Sequence, residues 1–354
     1  MDGEYWLYYI LSYFNQKRKV NISQLLHVFH AKRTPSMFYI IEINHWHHGF
    51  SISKKITRND LQQTIHLLLQ KQYLQAEKNG YLLTNRGEEA YRLYFKKHYY
   101  PKNIKTFTNT KVWLPFWNRL QLFTQVFSEL SYKNPQYIPI IKHPYHQENI
   151  RLLFQKYQDK KGALLKQWVE EQQLLFEHLE EEQADVLASL LTGHNIIGVT
   201  KAQITEKLQM ESLEFDFFLQ DVIEAVIYIV NEKPAQLALT NLLLEQLYQE
   251  TNWGLSASTS DTYQLLEKGY NIRKIANMRS IKENTVREHI LEMAFVFNDF
   301  PYQNFIPKDT YQHLNQRFEE EKTYHYRQAM QEKEGLEFMH YRLVELERMR
   351  KNDE

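Results

Sequence analysis

The residues best suited to binding chemistry lie between positions 54 and 78. Lys54, Lys55 and Arg58 carry positive charge, which suits contact with phosphate groups. Polar side chains follow at a spacing that places them on one side of a helix over 58–71: Asn59, Gln62, Gln63 and His66. Amide side chains make paired hydrogen bonds to adenine edges, and arginine and lysine make them to guanine. The pattern, with Lys78 in the next turn, predicts a DNA-contacting surface, and a polar face on a protein-binding domain is the alternative.

A second set of candidate DNA-binding residues lies between positions 273 and 287: Arg273, Lys282, Asn284, Thr285 and Arg287. The surrounding segment 258–306 has six basic and six acidic residues. Phosphate neutralisation dominates DNA affinity, so a neutral module is expected to bind DNA weakly. The charge balance therefore predicts that this second module either contacts DNA weakly or docks a protein partner.

Catalytic and metal-binding patterns are missing from the sequence. It has no cysteine, which excludes thiol catalysis, a disulfide framework and a cysteine zinc site. The phosphate-binding motifs G-x-x-x-x-G-K-[ST] and G-x-G-x-x-G are absent, as are G-x-S-x-G and H-E-x-x-H. Five histidines cluster without a carboxylate at ligand spacing, which favours surface or interfacial roles over a metal site: His27, His30, His45, His47 and His48. We therefore expect a non-enzymatic protein without a cofactor or metal.

The elements that position the first set lie in residues 1–98. An apolar run predicts a buried first helix over 5–14. Capping residues then predict a helix from Asn21 to about His30, a helix over 36–47 and a helix over 58–71, the last opened by Thr57 with Asp60 near a capping-box position. Asn79-Gly80 between two β-prone runs predicts a hairpin. The order of these helices and the hairpin, together with the sequence YLLTNRGEEA, resembles that of a winged helix-turn-helix domain. That resemblance implies that 58–71 is the recognition helix and that 75–82 is the wing.

The middle region, 99–250, is predicted to be helical. Tyr99, Tyr100 and Pro101 indicate a linker, and a helix is expected over 116–130, with its aromatic residues in a core. A proline-containing loop precedes one long helix over 150–190. The acidic run over 170–185 favours a solvated face, and 200–230 resembles a small helix-turn-helix unit used for packing.

The sharpest motif lies at 256–294. Ser260 or Asp261 is expected to cap a helix ending at Gly269, Asn271 to cap a helix over 272–278, and a turn to lead into a helix from 283 to about 295. The phrases GYNIRKIA and ENTVREHI resemble the helix-turn-helix of sigma factors and response regulators. With FNDFPYQNFI and FMHYRLVELERM, the segment resembles more closely the C-terminal domain of some RecQ-type helicases and of YpbB-like proteins of low-GC Gram-positive bacteria. The resemblance implies work with a RecQ-type helicase or another replication or repair protein. The C-terminal helix itself is expected to be solvated and amphipathic.

Composition supports this organisation. The net charge of the 354 residues is zero, yet residues 1–150 carry 20 basic against 9 acidic residues, and the remainder carry 23 against 34. A basic half suits a polyanionic partner, or the two halves attract each other. No signal peptide or membrane span is evident, and the lack of cysteine fits the cytoplasm, where nucleoid association is an option.

The predicted fold is mainly α, with an N-terminal winged helix-turn-helix domain (1–98), a helical middle region (99–250) and a C-terminal helix-turn-helix domain (251–354). The expected function is DNA binding as an accessory to a helicase in repair or replication. A sequence-specific transcription regulator and an interaction scaffold without nucleic-acid binding remain the alternatives.

Overall fold

The computed structural model of the chain describes residues 3–156, 161–321 and 324–353, and these are mainly helical, as predicted. The first part contains helices α1 (Glu4–Leu11), α2 (Ile22–Phe29), α3 (Pro35–Asn44), α4 (Arg58–Gln70) and α5 (Asn85–Tyr94), with strands β1 (Leu74–Glu77) and β2 (Gly80–Leu83). The middle part contains α6 (Trp113–Ser131), α7 (Pro144–Lys156), α8 (Lys161–Glu177), α9 (Glu181–Leu190), α10 (Lys201–Leu208), α11 (Ser212–Glu232) and α12 (Ala238–Glu250). The last part contains α13 (Ala257–Glu267), α14 (Ile272–Arg279), α15 (Glu283–Val296), α16 (Lys308–Glu320), α17 (Tyr326–Glu332) and α18 (Phe338–Asp353).

The chain divides into two compact units. The first contains Met1–His30 and His45–Trp253, and the second contains Ala31–Asn44 and Gly254–Glu354. The second unit therefore combines α3 with the elements from α13 onward. The first unit combines the middle region with the N-terminal elements other than α3.

Within the first unit, α1 is the centre of the N-terminal module. It packs against α4 and α5, and α2 also contacts α4. Tyr5 and Tyr9 are fully buried, and the indole nitrogen of Trp6 donates a hydrogen bond of 3.0 Å to the Thr64 hydroxyl. The predicted buried first helix is confirmed, although its regular part ends at Leu11 and the following Tyr13 and Phe14 are buried outside the helix.

His48 lies inside a cluster of tyrosine hydroxyls. Its Nδ1 is 2.8 Å from the Tyr9 hydroxyl and 3.2 Å from the Tyr13 hydroxyl, and its Nε2 is 3.1 Å from the Tyr100 hydroxyl. Burial, with a smaller effect of neighbouring His47, lowers the pKa of His48 to about 3, because the charged form would lose its hydration. The expectation that the clustered histidines lie at the surface is therefore wrong for His48.

The predicted linker at Tyr99–Pro101 is also corrected. The fully buried carboxylate of Asp221 accepts hydrogen bonds from the backbone amides of Lys102, Asn103 and Ile104, at 2.9, 2.6 and 3.2 Å. The hydroxyl of Tyr99 donates to the same carboxylate at 2.5 Å. Because a buried carboxylate must be fully hydrogen-bonded, this segment is anchored on α11 and does not act as a free linker.

The helical middle region has one apolar core, formed chiefly by α6, α8, α11 and α12. The aromatic residues of α6, including Phe116 and Phe123, belong to this core, as expected. The single long helix predicted over 150–190 is wrong, because α8 ends at Glu177 and α9 begins at Glu181; the part of that prediction at 157–160 lies outside the described residues. Glu171 departs from the expected solvated acidic face: it is 2% exposed and accepts hydrogen bonds from the backbone amides of Leu239 and Thr240, both 2.9 Å, at the start of α12.

In the second unit, α15 is covered by α3, α13, α14 and α18. Phe38 of α3 is fully buried and its ring stacks on Phe295. The guanidinium of Arg33 pairs with the Glu292 carboxylate at 2.9 Å and donates to the Gly254 carbonyl at 2.7 Å. Helix α3 therefore contributes apolar contacts to this unit, and the residues just before it contribute ionic ones.

Helix α18 is a core element, so the prediction of a solvated C-terminal helix is wrong. Leu343, Val344 and Leu346 are fully buried. The guanidinium of Arg350 donates to the carbonyls of Ala294, Phe295 and Phe297, each at 2.8 Å. These carbonyls lie at the C-terminal end of α15, where backbone acceptors have no partner within the helix and a cation is favourable.

We predict that Phe38→Ala destabilises the second unit by about 3–5 kcal/mol, because it leaves a cavity in a close-packed core. Ser36→Ala, at an exposed position of the same helix, is the matched control. Thermal unfolding of the full-length variants followed by circular dichroism measures the difference. Equal unfolding curves for Phe38→Ala and the control would show that α3 is not an integral part of this core.

We also predict that His48 makes the protein less stable as the pH falls. The pKa of His48 is about 3 in the folded protein against 6.5 for an unperturbed histidine, so between these pH values the unfolded chain binds a proton that the folded chain does not. The contribution of His48 to the free energy of unfolding is retained above about pH 6.5 and is lost progressively below it, by about 2 kcal/mol at pH 5. Chemical unfolding at pH 7.5 and pH 5 should show a smaller loss in His48→Gln than in wild type and in the control His45→Gln. An equal loss in all three proteins contradicts the assignment.

Candidate nucleic-acid interface

Helix α4 begins with the reciprocal cap that the sequence predicts. The Thr57 hydroxyl accepts a hydrogen bond from the Asp60 amide at 3.2 Å, and the Asp60 carboxylate accepts one from the Thr57 amide at 2.7 Å. The hydrogen bonds from Thr57 hold the pKa of Asp60 below its ordinary value. The cap therefore fixes where α4 starts and which side chains face outward.

The two faces of α4 are sharply different. Leu61, Ile65 and Leu68 are at most 1% exposed. The side chains predicted to contact bases or phosphates are all exposed: Arg58, Asn59, Gln62, Gln63 and His66. The structure thus brings the predicted polar residues together on one outward face, with Gln70 extending it by a further turn.

Basic residues border this face. Lys54 and Lys55 are exposed in the segment before α4, and neither has an ion-pair partner among the described residues. The Arg58 guanidinium donates a 2.5 Å hydrogen bond to the Ser23 hydroxyl. This bond joins the first turn of α4 to the first turn of α2, so the beginnings of the two helices lie side by side.

The predicted wing is the antiparallel hairpin of β1 and β2, with Leu74 opposite Leu83 and Glu77 opposite Gly80. Lys78 and Asn79 form its exposed tip, where Asn79 adopts a left-handed conformation with φ of +71°. Val20 pairs with Tyr81 through two backbone hydrogen bonds, of 3.1 and 2.9 Å. The hairpin therefore has a short third partner, supplied by the segment between α1 and α2.

That third segment contains basic residues that the sequence analysis did not select. Lys17 and Lys19 are exposed, and the ammonium group of Lys19 lies 3.3 Å from the Glu77 carboxylate of β1. The Asn15 side chain accepts hydrogen bonds from the amides of Lys17 and Arg18, at 3.0 and 2.7 Å. The basic run Lys17–Lys19 is visible in the sequence, but its place beside the hairpin depends on the pairing of Val20 with Tyr81.

The C-terminal helix-turn-helix consists of α13, α14 and α15. Asn271 caps α14 as predicted, since its side chain accepts from the Lys274 amide at 2.9 Å, and Gly269 follows α13 with φ of +78°. The predicted cap at Ser260 or Asp261 is wrong. Helix α13 starts at Ala257 because the Ser256 hydroxyl accepts from the Thr259 amide at 3.2 Å.

The predicted contact residues of this module are only partly available. Arg273 on α14 is exposed, as are Lys282 and Asn284, whereas Thr285 and Arg287 are half-buried. The Arg287 guanidinium is paired with the Glu337 carboxylate through bonds of 2.7 and 2.8 Å. Hydrogen bonding to Glu337 raises the pKa of Arg287 and lowers that of Glu337. From Val286 onward α15 is mostly buried, so its polar face is limited to its first two turns.

The two predicted sets of contact residues lie in different compact units. Across the described ranges, no cluster of histidine and acidic side chains is arranged to hold a metal ion. None of the helices described is long and apolar enough to cross a membrane.

Comparison with known proteins agrees with the helix-turn-helix geometry. Residues 258–345 match a family described as a helix-turn-helix domain. The chain is 24% identical over 287 residues to Protein YpbB of Bacillus subtilis (strain 168), an alignment that covers 78% of this chain and 80% of that protein. No solved structure matches the chain.

Proposed function

We propose that this protein is a non-enzymatic DNA-binding protein that grips the duplex with α4 and the β1–β2 wing. The observation that supports it most directly is the exposed amide-rich face of α4, bordered by Lys54 and Lys55. An α-helix fits the major groove of B-DNA, where amide side chains read base edges. Lysines at the helix start and the wing tip would contact the phosphates on either side.

The helix-turn-helix domain at 258–345 supports the same class of function. Its exposed cations are fewer and its recognition helix is mostly buried, so we assign it the smaller share of DNA affinity. The resemblance of this domain to the C-terminus of RecQ-type helicases supports a role beside such a helicase in repair or replication. The site of action on this proposal is the cytoplasm, at the nucleoid.

The DNA proposal predicts that Lys54→Ala/Lys55→Ala weakens binding to duplex DNA and reduces its salt dependence. Each lost phosphate contact lowers the slope of log affinity against log salt by about one. The control Lys96→Ala/Lys97→Ala removes two exposed lysines after α5 and the same total charge. Fluorescence anisotropy of the full chain at several salt concentrations measures both quantities. Equal losses of affinity in the two variants would show that only the total charge matters, not the position of Lys54 and Lys55. Absence of binding by the wild type would refute the proposal.

A sequence-specific regulator is the second candidate, favoured by the three exposed amide side chains Asn59, Gln62 and Gln63. It predicts one DNA sequence bound about 10³-fold or more tightly than random DNA. Gln62→Ala/Gln63→Ala should remove that preference while leaving the salt slope unchanged. Binding selection from a random duplex library, repeated with the variant, distinguishes the two. A library that yields no preferred sequence favours the accessory role.

A further inference from the structure

The polar face of α15 opens into a cleft within the second unit. Asn284, Arg287 and Glu288 share this face, because residues three and four positions apart are neighbours on a helix. The cleft has a volume of about 660 Å³, and its other walls are formed by residues 33–36, by Tyr326 and by residues 337–339. The face that would enter a DNA groove is therefore bordered by other segments of the same unit.

Glu337 holds the one cation on this face. Its two carboxylate oxygens accept from Nε and Nη2 of Arg287 at 2.7 and 2.8 Å, which is a bidentate pair. A third contact, of 3.3 Å, joins Nη1 of Arg287 to Glu283 in the first turn of α15. Carboxylate and phosphate engage a guanidinium in the same forked geometry. The Glu337 carboxylate thus takes up two guanidinium donors that would otherwise be available to a phosphate.

The carboxylate is presented by a short turn. Residues 333–337 connect α17 to α18, and Gly335 adopts φ of +76° there. Glu334 in the same turn is exposed, whereas Leu336 is 7% exposed and anchors the turn. The Leu336 carbonyl also accepts a hydrogen bond from the Tyr326 hydroxyl at 3.1 Å, and Lys333 pairs with Asp309 at 2.6 Å, so several contacts fix the turn that presents Glu337.

We propose that the Glu337 carboxylate is an internal substitute for phosphate. By pairing with Arg287 of the C-terminal module, it prevents the Arg287 guanidinium from contacting DNA. The inference rests on the proposed DNA binding and adds a regulatory contact to it. While the pair is formed, Arg287 neutralises no phosphate and the module contributes little affinity. Duplex DNA releases the guanidinium by offering a phosphate in place of the carboxylate.

The size of the effect follows from counterion release. One additional phosphate contact steepens the slope of log affinity against log salt by about 0.9, which corresponds to about a five- to tenfold gain at 0.1 M salt. Glu337→Gln removes the negative charge that competes with phosphate. Glu334→Gln removes one charge from the same turn, and Glu334 has no contact with Arg287 among the described residues.

The test is an anisotropy titration of full-length variants with a 20-base-pair duplex at several salt concentrations. We expect Glu337→Gln to bind about five- to tenfold more tightly at 0.1 M salt, with a steeper slope, and Glu334→Gln to differ little from wild type. The double variant Arg287→Gln/Glu337→Gln should lose the gain, because the gain depends on the guanidinium. Glu337→Asp keeps the charge but shortens the side chain, so it should give an intermediate gain even if Glu337→Gln is poorly folded.

Three results overturn the inference. The first is equal affinity for Glu337→Gln and Glu334→Gln, and the second is a gain that persists in the double variant. In both cases loss of binding in Lys54→Ala/Lys55→Ala shows that the proposed function still stands. The third is no DNA binding by any variant, including wild type, which removes the proposed function as well.

Discussion

Burial of the apolar stripe of α4 is the constraint on which the candidate interface depends. Leu61, Ile65 and Leu68 are at most 1% exposed, and a helix that commits one face to a core must turn the opposite face to solvent. Burying these three side chains is worth about 1.5–3 kcal/mol each. The amide-rich face is therefore held outward by the stability of the module, and the Thr57–Asp60 cap fixes its starting point. The wing and the start of α2 then supply the neighbouring polar groups.

Buried and half-buried charged side chains organise much of the rest of the molecule. Asp221 anchors the segment after α5, Glu171 accepts from the first amides of α12, and Arg350 binds the last carbonyls of α15. Each satisfies backbone groups that would otherwise be buried without partners. Removing one side of such a contact leaves an unpaired polar group, which costs more than the bond itself contributes. The pairing of Arg287 with Glu337 differs from these contacts, because it joins two half-buried side chains at a surface cleft.

Local signals in the sequence were sufficient for much of the fold. The caps at Thr57 and Asn271, the turn at Asn79 and the stripe of α4 depend on residues within a few positions of one another, so the sequence predicts them well. Features set by distant residues were missed. The placement of α3 in the second unit depends on Phe295 and Glu292, and the capture of Arg287 depends on Glu337, fifty residues away. The prediction of one long helix over 150–190 is wrong for a similar reason, because helical periodicity in the sequence does not show where one helix ends and the next begins.

The central claim is that α4 and the wing contact duplex DNA, and hydrogen exchange of the full chain with and without DNA tests it most directly. Mass spectrometry resolves the protection by peptide, so the contact surface is located without altering any residue. The account predicts that DNA slows exchange chiefly over residues 54–70 and 75–82. It is contradicted if saturating DNA leaves both segments unchanged, or if the protection falls only on other parts of the chain.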